Sequence, residues 1–169
     1  MPAPDSASFM ISRVSPAGDR LQGVPLVHEW RRLRAVCVGV DAVCADLSLC
    51  RRGQGVLATG TIRVALRLRC ERCQGELPWQ AELPVRTALA ASEAAAATVD
   101  PAAEPVLAAG GVVDVQDWLE EEVLLSLPLL PRCEQWSSGR CPVSGVTVEP
   151  VEFKHEYLSG ESRDGRSTE

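Results

Sequence analysis

The alternation of apolar and polar side chains is clearest between Ile62 and Arg69. Ile62, Val64, Leu66 and Leu68 take every second position, with Arg63, Ala65, Arg67 and Arg69 between and after them. A period of two over such a run predicts a strand with one face in a core and the other uncovered. The segment VDAVCADLSLC at 40–50 alternates in the same way through Val43, Ala45, Leu47 and Leu49. Between them, RRGQG at 51–55 supplies a turn with two glycines. WQAELPVRTALA at 79–90 returns as a third strand, with Pro84 favouring an edge because proline donates nothing to a ladder. The three strands make an antiparallel meander.

Period changes to helical over DVQDWLEEEVLLSLP at 114–128. Asp114 is a good N-cap, Asp117 stands at the third helical position, and Pro128 and Pro131 end the element. At 100° per residue, Val115, Trp118, Leu119, Val123, Leu125 and Leu127 fall on one arc. Glu122 falls inside that arc, so it either finds a partner, with a sheet arginine the obvious choice, or rotates to the rim. Glu120 and Glu121 fall at or beyond the edges. VPLVHEWRRLRA at 24–35 predicts a shorter helix with Trp30 and Leu33 on one side. The expected fold class is α+β: an antiparallel β-meander sheet packed against one main helix, with flexible termini and a cysteine-bearing loop. Residues 1–22 read as a flexible N-terminus, 23–150 as a single domain, and 151–169 as a largely disordered acidic tail. Within the domain, 88–110 reads as an Ala-rich flexible loop, with a short strand at EPVLA.

Charge sharpens this division. The net charge of −6 argues against a generic nucleic-acid binder. Yet residues 1–86 hold 12 arginines against 8 acids, while 87–169 hold 5 basic residues against 15 acids. A basic half and an acidic half suit a protein that touches phosphate with one face only. No leader pattern opens the chain and no apolar run is long enough to span a bilayer, so the expectation is a cytoplasmic protein without membrane contact.

In that compartment the seven cysteines are expected to be reduced. Cys37, Cys44 and Cys50 lie in or near strands and read as small buried hydrophobes. The segment LRLRCERCQGELPW at 66–79 raises a sharper question. Cys70 and Cys73 are two residues apart, and Gly75 allows a turn whose amides point at sulfur. Half of a zinc site, a redox pair and a metal-free hairpin tip all fit this spacing. The redox motif opens a helix, whereas this pair follows a strand, which weakens that reading. A structural zinc ion needs four ligands, and Cys133 and Cys141 are the second pair available, making Cys70, Cys73, Cys133 and Cys141 the candidate set. Among enzyme motifs, a Gly-rich phosphate loop and a G-x-S-x-G elbow are both missing, which points to a non-enzymatic protein.

The strand and knuckle VALRLRCERCQGEL, the helix VDVQDWLEEEVLLSLPLLP and the cysteine loop after it resemble the bacterial YceD family, the large ribosomal RNA subunit accumulation proteins, over about residues 25–146. That resemblance implies a ribosome-biogenesis factor acting in synthesis, processing or stability of 23S ribosomal RNA. It also implies partners in that RNA or the pre-large-subunit particle, and in ribosomal or RNA-processing proteins. Some relatives carry a denser second cluster, C-x3-C-x3-C-P-x-C-G. Here Cys133 and Cys141 match it while Ser137 and Ser144 replace the other two. Many relatives end in an apolar, basic segment, whereas this chain ends acidic.

Arg63, Arg67 and Arg69 on the polar side of the strand, with Arg72 at the turn, are the candidate RNA contacts. Alternate strand residues are about 7 Å apart, near the phosphate repeat of a single strand. Pairing of these arginines with acids is the competing expectation. An adaptor that binds a protein partner without touching RNA is the second functional reading, and a CxxC oxidoreductase the third.

Overall fold

The computed structural model describes residues 8–23, 28 and 30–133. Along them run β1 (Ser8–Met10), β2 (Asp19–Gly23), α1 (Arg31–Val36), β3 (Gly39–Arg52), β4 (Gly55–Arg69), β5 (Glu76–Ala90), α2 (Glu93–Val99), β6 (Glu104–Leu107), β7 (Val112–Asp114) and α3 (Val115–Ser126). Cys141, the loop beyond Cys133 and the acidic tail lie outside the described residues, as do residues 24–27 of the first predicted helix.

The meander is as the alternation predicts. β3, β4 and β5 pair antiparallel in sequence order, and β2 and β6 flank them in the order β2-β3-β4-β5-β6. The odd residues Val43, Ala45, Leu47 and Leu49 of β3 and the even residues Ile62, Val64, Leu66 and Leu68 of β4 are all buried. They share one core with Trp30 and Leu33 of the first helical region and Trp118, Leu119 and Val123 of α3. Pro84 falls where β5 has a neighbour on one side only, because β6 reaches just Thr87 to Ala90.

Two segments read as flexible are ordered elements. From Ser8 onward, the segment assigned to a mobile N-terminus forms β1, which pairs with β7, and β2, which pairs with β3. Ile11, Val14 and Leu21 anchor it in the core, too far apart in sequence to register as a pattern. The Ala-rich stretch holds α2 instead of a loop. Ser92 caps it, accepting from the Ala95 amide at 3.2 Å. Ala95, Ala96 and Val99 pack on Leu57, Ala88 and Ala90, on the sheet face opposite the main core. Alanines leave no bulky stripe to read, yet they let a helix backbone lie close to a strand. The expected short strand is present as β6, parallel to β5. Replacing the cap, Ser92→Ala, is expected to cost about 1 kcal/mol. Urea unfolding would show this as a lower midpoint at unchanged slope.

α3 begins where Asp114 caps it, accepting from the Asp117 amide at 2.9 Å. Its rotation differs from the expected arc: Leu125 faces solvent, and the buried acid is Glu120, not Glu122. Glu122 is half-buried and accepts from the Thr87 hydroxyl at 2.8 Å and the Trp118 indole at 2.9 Å, in place of a sheet arginine. The cause is α1, whose Arg32 and backbone claim Glu120.

Candidate functional site: a cysteine knuckle beside an arginine-bearing sheet face

β4 ends at Arg69, and the chain turns at once. The Cys70 amide donates to the Gly75 carbonyl at 2.9 Å, and the Gln74 amide returns to the Cys70 carbonyl at 2.8 Å. The residue that takes the left-handed conformation is Gln74, at φ 59°, where the glycine after it was expected to supply the freedom. The Glu71 amide donates to the Pro131 carbonyl at 2.9 Å, which straps the turn to the chain leaving α3. That strap delivers Cys133.

The result is a cluster of three thiols. Cys70, Cys73 and Cys133 are buried, and their sulfurs all lie within 4.8 Å of one another. The Sγ atoms of Cys73 and Cys133 are 3.9 Å apart. Burial pushes the Cys70 thiol up, but the amides of Cys73, Cys133 and Arg72, with the Cys73 thiol, outweigh it and bring the group to about 7. Three convergent sulfurs with amides aimed at one of them can hold a thiophilic metal ion. Disulfide exchange with another protein needs an accessible sulfur, and these are covered. Cys37, Cys44 and Cys50 are not part of the cluster, and the expectation of burial fails for them. Cys44 and Cys50 occupy even positions of β3, on its uncovered face, and Cys37 is only partly covered.

Arg63, Arg67 and Arg69 share that uncovered face of the sheet, opposite the main core. α2 covers the far end of it, over Leu57. Arg63 Nε donates to Glu82 Oε1 at 3.2 Å across β4 and β5. Arg67 donates to Asp41 at 3.0 Å and to Glu76 at 3.3 Å, and these carboxylates raise its pKa. Asp41 stands in a β-bulge between Val40 and Ala42, which sets it outside the register. Arg69 donates to the Gln74 carbonyl at 3.2 Å, so it ties the strand to the knuckle. Arg72 is on the exposed side of the turn, its amide on the Cys70 sulfur. Further along the same face, Arg20 pairs with Asp46 at 2.7 Å and Arg86 pairs with Asp100. The face therefore carries interleaved charges of both signs. The acids paired with Arg20, Arg63 and Arg67 stand on neighbouring strands, not on α3; their registers, and the bulge at Asp41 above all, are invisible in sequence.

Among the described residues no helix is long and apolar enough to cross a membrane. A family model described as "Large ribosomal RNA subunit accumulation protein YceD" matches residues 58–162, which takes in most of β4, the knuckle and α3. No curated protein and no solved structure matches the chain.

Proposed function

The chain belongs to the YceD family, named for accumulation of the large ribosomal subunit's RNA, and from that membership we propose that it is a non-enzymatic cytoplasmic factor that binds 23S ribosomal RNA or the pre-large-subunit particle. One observation carries the RNA contact: the uncovered sheet face ends in Arg63, Arg67, Arg69 and the adjoining turn with Arg72. The ion pairs on this face do not argue against phosphate. Solvent screens exposed pairs, so exchanging a carboxylate for a phosphate costs little. Meanwhile they hold the guanidinium groups of Arg63 and Arg67 in place; along the strand Arg67 and Arg69 are about 7 Å apart and Arg63 and Arg67 about 13 Å, one and two steps of an extended strand's phosphate repeat.

The test is binding of large-subunit RNA fragments by anisotropy across a salt series. The variant carries Arg63→Ser, Arg67→Ser and Arg69→Ser together. The expected result is an affinity at least about tenfold lower and a shallower dependence on log salt, by about 2 for three lost phosphate contacts. Wild-type affinity and slope in a folded variant would refute the arginine face as the RNA contact. The interleaved acids favour a second reading, a protein adaptor. Association with pre-ribosomal particles that survives nuclease treatment, and is lost in the variant, would support that one.

A further inference from the structure

We propose that Cys70, Cys73 and Cys133 bind one structural zinc ion that ties the end of β4 to the chain leaving α3. The proposal stands independently of RNA binding.

Geometry comes first. Zinc holds thiolates tetrahedrally at about 2.3 Å, which sets neighbouring sulfurs about 3.8 Å apart. The Cys73–Cys133 separation is 3.9 Å, and Cys70 completes a triangle with no side above 4.8 Å. Closing that triangle onto an ion takes only small rotations.

Burial comes second. A cysteine that serves as a small hydrophobe packs into a core. These three stand apart from the main core and pack on one another, with half-covered Leu77 as their apolar neighbour. Their exposures are 0%, 9% and 3%. Three mutually buried thiols are weak hydrogen-bonding groups with little to gain from such a meeting, unless something is bound between them.

Surrounding polar groups point the same way. The amides of Arg72, Cys73 and Cys133 are directed at the Cys70 sulfur. A neutral thiol is a poor acceptor, whereas a metal-bound thiolate needs donors to spread its charge. The cradle also holds Gln74 at φ 59°, a conformation that strains a side-chain-bearing residue. Two hydrogen bonds of the turn and the strap from Glu71 to Pro131 over-determine it. Three converging thiolates select zinc or an iron–sulfur centre over calcium and magnesium, which take oxygen ligands.

The experiment uses the full chain purified without a histidine tag, under reducing conditions, with metals measured by mass spectrometry. The expected result is one zinc per chain. Cys73→Ser and Cys133→Ser are each expected to weaken zinc binding by more than about a hundredfold, beyond what losing a group that only hydrogen-bonds a ligand costs. Cys50→Ser, outside the cluster, is expected to keep full occupancy. Because a cysteine variant can fail to fold, the metal-depleted wild type is also titrated with cobalt(II). A thiolate-to-cobalt charge-transfer band with intense tetrahedral ligand-field bands is expected, displaced by zinc. A chain isolated without zinc that also gives no cobalt–thiolate band would overturn the proposal. So would full zinc occupancy in Cys133→Ser, or iron in place of zinc.

Discussion

Glu120→Ala is expected to destabilise the protein by about 3 kcal/mol, while Glu121→Ala, one residue on, costs under about 0.5 kcal/mol. The difference lies in what each carboxylate touches. α1 has only six residues, and its N-cap, Trp30, offers no side-chain hydrogen bond. The first-turn amides of such a helix need acceptors from elsewhere. Glu120 supplies one from α3: its Oε1 accepts from the Leu33 amide at 2.9 Å, while Oε2 accepts from Arg32 Nε at 3.1 Å. Its side chain is 8% exposed, against 48% for Glu121. Removing Glu120 leaves the buried Leu33 amide without an acceptor, for about 1–3 kcal/mol, and also takes the Oε2 acceptor from Arg32. Among the described residues Glu121 has only its pair with half-exposed Arg32, which solvent screens. Glu120→Gln retains an acceptor and is expected to fall between the two. Urea midpoints at neutral pH, with slopes compared to exclude a change in the unfolded state, measure all three. Equal losses at Glu120 and Glu121 would mean that the carboxylate does not cap α1.

This residue also marks where sequence reasoning runs out. α3 itself was legible, from its aspartate cap to its apolar positions Val115, Trp118, Leu119 and Val123. Which acid it buries was not, since this depends on a second helix packing across it from 87 residues away. The same division holds in the sheet. β3 and β4 announce themselves by alternation because every second residue enters one continuous core. β1 and β2 are short, and each is stabilised by a partner strand that no local pattern identifies. α2 is invisible for a different reason: alanine carries too little hydrophobic contrast to mark a face, although the face is buried.

The candidate site was legible by halves. CERCQG declared a turn bearing two thiols, and the arginine positions followed from the strand's period. The meeting of Cys133 with Cys70 and Cys73 follows from the strap at Pro131, a backbone contact with no sequence signature. The carboxylates opposite the arginines follow from register, through Glu82 across from Arg63 and Glu76 across from Arg69. Family membership and fold class thus come from local pattern, whereas the chemistry of the site comes from long-range pairing.

Gly60→Ala puts that pairing to its most severe test, with an expected loss of about 3–5 kcal/mol, a large part of the total stability of a domain. Gly60 lies mid-strand in β4, opposite Leu47 of β3 and Val85 of β5, at φ 151°. Side-chain-bearing residues scarcely enter that region. A Cβ there would stand 2.2 Å from the Asp46 carbonyl oxygen and 2.9 Å from the Leu47 Cα. Both are backbone atoms of the central strand pair, so relief requires β3 and β4 to separate or slip. Gly110 is the control. It too has a positive φ, 64°, but a Cβ there meets nothing within 4 Å. Gly110→Ala is therefore expected to cost only the strain of the left-handed conformation, about 1–2 kcal/mol. Thermal and urea unfolding of the two variants separate steric contact from backbone strain. If Gly60→Ala proved no worse than Gly110→Ala, β3 and β4 would not approach in this register. The placement of Arg63 beside Glu82 rests on the same strand, β4, so the arginine face would have to be redrawn with it.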